Sequence, residues 1–246
     1  MRGRTAAVGM VLGALLSVGL PVAVPGQEVA SLSPPALLQS TPAIPMFGTH
    51  QIHYSGLAPF ARWAKLLTRW QNEQENAAES CLSTHDNAPP CPPREWIELI
   101  ARFRGQPLRA QIDGVNAAIN AHPYVSALDN WGDPARWETP FEFMRHNGQC
   151  QDYAIAKFLL LRALGVPDDA MRLVVLHDVR RQVDHAVLVV TVAGQSLMLD
   201  NLAPRVVSAA ANPNYRAYYS INETGWWLHL PNPLMPQTPS RQVASR

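Results

Sequence analysis

Residues 147–165, NGQCQDYAIAKFLLLRALG, place a cysteine directly before a long apolar segment. The apolar residues recur every three or four positions, which predicts a buried helix: Ala154, Ile155, Phe158, Leu161 and Leu164. Gly165, with a proline two residues later, ends this helix. Cys150 is therefore expected at the N-terminus of a core helix, where backbone N–H groups and the helix dipole favour a thiolate.

The sequence before this helix has a different pattern from the sequence after it. Before it, apolar residues recur at helical spacing in three segments, of which the second and third open at Pro93 and Pro107. After it, short runs rich in β-branched and aromatic residues predict antiparallel strands at 171–177, 185–192, 196–200, 215–222 and 226–230. A helical half followed by an antiparallel sheet half is an α+β arrangement.

This pattern predicts one domain with flanking segments. The domain comprises residues 46–230, with a helical part at 46–165 and a β-sheet part at 168–230. The proline-rich tail at 231–246 is expected to be flexible.

The N-terminal residues have the pattern of an export signal. Arg2 and Arg4 precede an uncharged, mainly apolar run, and Gly26 marks an acceptable cleavage site. The alternative is an uncleaved membrane anchor, because the run approaches the length of a bilayer span, but its glycines and proline suit a signal better. We expect residues 1–26 to be a cleaved signal peptide, residues 27–45 an extended lead-in, and the mature protein to be periplasmic.

The overall composition is that of a globular protein. Of its 246 residues, 47% are hydrophobic and 16% are charged, which is enough to build a core. The formal net charge of +1 provides no basic field, so nucleic acid is not expected as a partner.

The chain contains three cysteines, an odd number for an exported protein. Cys81 and Cys91 lie in one polar, proline-rich segment, and a disulfide between them would close a short loop and stabilise the fold by about 2–3 kcal/mol. That pairing leaves Cys150 as an unpaired thiol. An inert core cysteine is one explanation for it, and a reactive nucleophile is the other.

A nucleophilic thiol needs a base and a group that orients the base. His185 begins the second predicted strand and Asp200 ends the third, so pairing of these strands places both near one end of the sheet. His177, at the end of the first strand, is an alternative base. Asp200 could instead start a turn with Asn201. A zinc site is less favoured, because no pair of ligands has metal-binding spacing.

Five segments resemble one protein family in the same order: WETPFEF from Trp137, GQCQDYAIAK from Gly148, LRALGVP from Leu161, HAVLV from His185 and LDNL from Leu199. Together they resemble the bacterial transglutaminase-like cysteine proteinases, most strongly over residues 130–230. The resemblance implies a papain/transglutaminase-like cysteine protease core. It also implies that Cys150 is the nucleophile, His185 the general base and later acid, and Asp200 the carboxylate that orients the histidine.

The segment around Cys150 departs from this family at two positions. The family usually has an aspartate before the cysteine and a glutamate after it, and members use acidic residues there to hold calcium; here the two positions are Gln149 and Gln151. Amide oxygens can bind calcium but contribute no charge. Asp152 is the remaining acidic candidate, so no cofactor is expected to be required and calcium dependence is expected to be weak or absent.

These observations predict an exported cysteine endopeptidase that cleaves a protein substrate. Backbone N–H groups at the helix start, together with the Gln149 amide, would stabilise the oxyanion. The resemblance implies a large surface adhesin as the substrate and an inner-membrane cyclic-di-GMP receptor as a partner. Two alternatives remain open: transglutaminase-type acyl transfer to an amine by the same three residues, and a non-catalytic peptide-binding module.

Overall fold

The computed structural model describes residues 46–77, 91–210 and 212–232. The predicted signal peptide, the lead-in, Cys81 and most of the predicted tail lie outside these residues. Among the helices that are described, none is long and apolar enough to cross a membrane.

The described part of the chain contains these α-helices: α1 (Ala61–Glu75), α2 (Arg94–Phe103), α3 (Leu108–Asn120), α4 (Ala127–Trp131), α5 (Pro140–His146) and α6 (Cys150–Ala163). Pro93 and Pro107 immediately precede α2 and α3, where a fixed φ and a missing N–H suit a helix start. A capping box begins α5: the Thr139 hydroxyl accepts the N–H of Glu142 at 3.3 Å, and the Glu142 carboxylate accepts the N–H of Thr139 at 2.9 Å.

Strands from both ends of the described chain form one antiparallel sheet: β1 (Thr49–Ser55), β2 (Met171–Asp178), β3 (Val183–Val192), β4 (Gln195–Leu199), β5 (Val207–Ser208), β6 (Tyr215–Ile221) and β7 (Gly225–Pro231). Their spatial order is β1-β7-β6-β2-β3-β4-β5. A short 3₁₀ turn, Asp168–Ala170, leads from α6 into β2. Helices followed by this sheet confirm the predicted α+β class.

The predicted boundary between a helical and a sheet part holds only in part. The sequence interpretation was wrong to treat residues 46–165 as a helical part throughout, because Thr49–Ser55 forms strand β1. This segment, THQIHYS, has few apolar residues and lies at an edge of the sheet, so its alternation of burial is weak. It pairs with β7, from Thr49 opposite Pro231 to Ser55 opposite Gly225. Strand β5 has only two residues and was not predicted.

Helix α6 is the centre of the core. It packs against β2 and β3 on one side and against α3 and α5 on others. Every residue from Gln151 to Leu161 is consequently buried. A helix enclosed in this way has little freedom to shift, so its first residue, Cys150, is held in a fixed position relative to the sheet.

Candidate active site

Cys150 is the first residue of α6 and is half-buried. Its N–H belongs to the first turn, where backbone donors have no acceptor within the helix. Its Sγ lies 3.5 Å from Oε1 of Gln151. Cys150 is a free thiol. The predicted Cys81–Cys91 disulfide stays a prediction, because Cys81 lies outside the described residues.

Asp152 ties the start of α6 to the loop before it. Its Oδ1 accepts the N–H of Glu138 at 2.9 Å, and its Oδ2 accepts the N–H of Gln149 at 3.0 Å. The side chain is fully buried, and this burial raises the pKa of Asp152 to about 8. Asp152 therefore fixes the backbone on the N-terminal side of Cys150.

His185 and Asp200 are joined directly. Nε2 of His185 lies 2.8 Å from Oδ1 of Asp200, and the two residues are 5% and 1% exposed. The other ring nitrogen is left to interact with the Cys150 thiol. Burial alone would lower the pKa of His185, but its side-chain hydrogen bonds to Asp200 and Cys150 outweigh burial and raise the pKa to about 9. His185 thus lies between the thiol and the carboxylate.

Asp200 is held by three further groups. Tyr215 Oη donates to Oδ2 at 2.5 Å, and the N–H of Leu202 donates to Oδ1 at 2.9 Å. Asn120 Nδ2 donates to the backbone carbonyl of Asp200 at 2.8 Å. Burial alone would raise the pKa of Asp200, but the hydrogen bond and charge of His185, with the bonds from Tyr215 and Leu202, lower it. The carboxylate is therefore ionised and fixed in orientation.

Sequence reasoning missed Tyr215 and Asn120. Tyr215 begins β6, which reaches the site only because β6 pairs with β2 rather than with β4 or β5. Asn120 ends α3, far from Asp200 along the chain. Neither has a spacing relative to Asp200 that one sequence could reveal. The turn that the sequence suggested as an alternative role for Asp200 is also present. The N–H of Leu202 donates to the same carboxylate that binds His185.

His177 lies apart from this group. Its Nδ1 is 3.2 Å from Oδ1 of the exposed Asp184. Within residues 46–77, 91–210 and 212–232, no group of three or more His, Cys, Asp or Glu side chains is arranged to hold a metal ion. The geometry favours His185 over His177 as the partner of Cys150, and it gives the zinc alternative no support.

Two other residues border Cys150. Gln149 precedes α6 in an extended conformation and is half-buried; its role toward an oxyanion stays a prediction. Tyr124 was not foreseen from the sequence. It is 59% exposed, and the N–H of the next residue, Val125, donates to the carbonyl of Gly148 at 2.9 Å. Partial desolvation of its hydroxyl, with Cys150 nearby, raises the pKa of Tyr124. A largely exposed aromatic side chain therefore lies beside the segment that leads into Cys150.

This arrangement contains the parts that nucleophilic catalysis by a thiol requires. The His185 imidazole interacts with the Cys150 thiol, which helps to raise the histidine pKa, and the Asp200 carboxylate orients that imidazole. Backbone N–H groups at the start of α6 are available to bind a negative charge that develops on a carbonyl oxygen.

Replacing Tyr215 by phenylalanine is expected to lower kcat/KM about tenfold, because a hydrogen bond to a charged group contributes about 1.5–3 kcal/mol. The variant loses the donor to Oδ2 of Asp200 but keeps the ring. Tyr218→Phe is the matched control, since Tyr218 Oη also donates to a carboxylate, that of Asp184, at 3.1 Å. An equal loss of activity in both variants would contradict the role of Tyr215.

The chain is similar to one family of cysteine proteinases and to solved structures of one bacterial protein. Residues 90–233 match the family model described as bacterial transglutaminase-like cysteine proteinase BTLCP. The calcium-bound structure of Legionella pneumophila LapG is 28% identical with a TM-score of 0.50, over 67% of this chain and 86% of LapG. The EGTA-treated structure of the same protein is 27% identical with a TM-score of 0.50, over 67% of this chain and 84% of LapG. The curated proteins contain no match.

Proposed function

The chain belongs to the bacterial transglutaminase-like cysteine proteinases, and we propose that it is an exported endopeptidase with Cys150 as its nucleophile. The observation that supports this assignment is the position of His185. One of its ring nitrogens bonds to Asp200 and the ring also interacts with Cys150. As a cysteine protease, the enzyme acts on a protein substrate.

In the proposed mechanism, the Cys150 thiolate attacks the scissile carbonyl while His185 is protonated. Backbone N–H groups at the start of α6, with Gln149, stabilise the oxyanion. His185 donates its proton to the leaving amine, which departs and leaves a thioester. The neutral His185 then takes a proton from water, whose oxygen attacks the thioester, and the product acid leaves as the thiolate is restored. Asp200 keeps the imidazole in the required tautomer throughout.

The residues around Cys150 do not fit a calcium site. Calcium takes six to eight oxygen ligands and binds well where several are carboxylates. Both carboxylate oxygens of Asp152 already accept backbone N–H groups, and the residue is fully buried. The flanking side chains are the uncharged amides of Gln149 and Gln151. LapG has been solved calcium-bound, and we propose that this chain differs from it in working without calcium.

Chelation is therefore expected to leave both activity and thermal stability unchanged. The measurement compares proteolysis and melting temperature in excess EGTA and in millimolar calcium. The matched control is the double variant Gln149→Asp, Gln151→Glu, which restores the acidic pair of the family pattern. This variant should gain a calcium-dependent rise in melting temperature. Loss of wild-type activity in EGTA, restored by calcium, would contradict the proposal.

Transglutaminase-type transfer is the second candidate, because the same three side chains can pass the acyl group to an amine instead of water. A surface-protein extract incubated with the enzyme and a labelled primary amine separates the two reactions. Hydrolysis creates new protein N-termini without label on the substrate, whereas transfer incorporates label. We expect new N-termini to predominate. Label incorporation without new N-termini would overturn the endopeptidase assignment.

The proposal places the enzyme in the periplasm, with a large surface adhesin as its substrate. The motifs shared with the family support this choice, as does the export-like pattern of residues 1–26. An inner-membrane cyclic-di-GMP receptor is the proposed regulatory partner on the same grounds. Cells carrying the wild-type enzyme should release a large surface protein that cells carrying Cys150→Ala retain. Identical sets of released proteins would refute the adhesin as substrate.

A further inference from the structure

A pocket of about 320 Å³ lies outside the catalytic group, between helix α1 and the segment that leads into α5. This volume is at the lower end of the range for ligand sites. Four of the residues that line the pocket are cationic, and Trp137 forms part of its wall: Arg62, Lys65, Arg69 and Arg136. The chain as a whole has 20 lysines and arginines against 19 acidic residues, so its composition does not explain such a concentration. We call this site the basic pocket.

Two of the four cations share a single carboxylate, that of Glu142. Nη2 of Arg69 lies 3.1 Å from Oε2 of Glu142, and Nη2 of Arg136 lies 2.5 Å from Oε1. One carboxylate neutralises only one guanidinium group. In addition, the Nε of each arginine is buried and has no acceptor among the residues that the structure describes. The two arginines therefore keep excess positive charge and unused hydrogen-bond donors.

The other two cations, Arg62 and Lys65, lie on the same side of α1 and are exposed. Within the described part of the chain, neither side chain has an ion pair with a carboxylate. The guanidinium carbon of Arg62 lies 5.8 Å from the centroid of the Trp137 ring, which is a cation–π contact. Asp133 is the acidic residue that lines the pocket. Even with Glu142 included, four cations face two carboxylates, so the basic pocket attracts an anionic group.

The wall of the basic pocket is tied to the start of α6. Glu138, the residue after Trp137, donates its N–H to Oδ1 of Asp152 at 2.9 Å. The other oxygen of Asp152 accepts the N–H of Gln149, which directly precedes Cys150. One carboxyl group thus joins the segment that carries the pocket wall to the segment that carries the nucleophile. An extended peptide advances about 3.3 Å per residue. A substrate chain that crosses Cys150 can therefore bring nearby residues to the pocket.

We propose that the basic pocket binds acidic side chains of the protein substrate, a few residues from the bond that Cys150 attacks. Guanidinium groups bind carboxylates through paired N–H donors, and the Lys65 ammonium group adds a further charge. The indole ring of Trp137 gives the methylene groups of an acidic side chain an apolar surface. The substrate class is accordingly a protein with an acidic segment beside the cleavage site. The inference rests on the proposed function, because it requires the substrate to lie across Cys150.

Binding of a defined peptide tests the charge preference of the basic pocket. The probe is a short fluorescein-labelled peptide in which glutamate alternates with serine, and its matched form has glutamine at every glutamate position. Fluorescence anisotropy is measured with the Cys150→Ala variant, so that the peptide is not cleaved. The glutamate peptide should bind at least about ten times more tightly than the glutamine peptide, and added salt should weaken only the glutamate peptide.

The variants for this measurement leave the two arginines that hold Glu142 in place. Arg62→Ala with Lys65→Ala should raise the Kd of the glutamate peptide about tenfold, and both positions are exposed, so the melting temperature should stay close to the parent value. Arg62→Lys with Lys65→Arg keeps both charges and should stay within about twofold of the parent Kd. Arg102→Ala with Arg104→Ala removes the same charge from exposed positions around the end of α2 and should leave the Kd unchanged.

Inhibition of proteolysis tests whether the acidic segment belongs to the substrate. The unlabelled glutamate peptide should inhibit the release of new N-termini by the wild-type enzyme from a surface-protein extract, and the glutamine peptide should not. The enzyme with Arg62→Ala and Lys65→Ala should resist this inhibition. The released N-termini should map to sites beside acidic segments.

The outcomes separate this inference from the proposed function. Equal binding of the two peptides, or binding that survives Arg62→Ala with Lys65→Ala, would overturn the basic pocket as an acidic-peptide site. Binding without inhibition of proteolysis would assign the pocket to a partner protein and overturn its role toward the substrate. An unreactive Cys150 in the wild-type protein would overturn the proposed function, whereas the binding measurement does not depend on catalysis.

Discussion

Replacing Cys150 by alanine is expected to abolish proteolysis, lowering kcat by about 10⁵-fold or more, to the background rate. Without the sulfur, no covalent intermediate can form, and the remaining groups have no nucleophile to activate. Cys150 is half-buried, and its contact with Gln151 is a weak one at 3.5 Å, so the fold should tolerate the change. The measurement is the appearance of new N-termini when purified enzyme is added to a surface-protein extract.

The control for this experiment is Cys150→Ser, which keeps the shape and polarity of the side chain but replaces the thiolate with a far weaker nucleophile. It should also be close to inactive. Both variants should melt within a few degrees of the wild-type protein. Cleavage retained by a folded Cys150→Ala variant would show that another residue is the nucleophile.

Replacing Asp200 by alanine is expected to lower kcat/KM by at least about a hundredfold, because the imidazole loses the group that selects its tautomer. The change also leaves three donors facing an empty position: the ring of His185, the hydroxyl of Tyr215 and the N–H of Leu202. Each buried donor left unsatisfied costs about 1–3 kcal/mol. Stability should therefore fall together with activity, and kinetics must be measured well below the melting temperature.

The variant Asp200→Asn separates two roles of Asp200: accepting the hydrogen bond that orients His185, and carrying a negative charge. The asparagine oxygen can still accept from His185, so this variant should retain more activity than Asp200→Ala. The matched control is Asp184→Ala, because Asp184 also pairs with a histidine, His177, but on the exposed part of the sheet. Asp184→Ala should leave kcat/KM near the wild-type value. An Asp200→Ala variant with wild-type activity would remove the carboxylate from the mechanism.

The sequence predicted the structure best where apolar residues recur at helical spacing or form short strand-like runs. The apolar spacing after Cys150 and the paired runs around His185 predicted the central helix and the two strands that bring His185 and Asp200 close. Local turns determine these contacts, since β3 and β4 are joined by a short connection and pair from Val192 opposite Gln195.

The features that the sequence did not predict depend on contacts between distant parts of the chain, which local patterns do not encode. Strand β1 is an edge strand with weak alternation, and it joins the sheet through β7, at the far end of the described chain. Tyr215 reaches Asp200 only because β6 inserts beside β2. The burial of Lys157 likewise follows from the packing of α6 on several sides rather than from the spacing of its neighbours in the sequence.

The most direct test of the central claim, that Cys150 is a nucleophile activated by His185, is the alkylation of the wild-type thiol by iodoacetamide as a function of pH, with the labelled residue located by peptide mapping. We predict that Cys150 is labelled in parallel with loss of activity, and that its rate at pH 6 is at least about ten times that of a free thiol, which is mostly protonated below its pKa of about 8.5. A rate that follows a free thiol across the whole range, or full activity after Cys150 has been alkylated, would contradict the account.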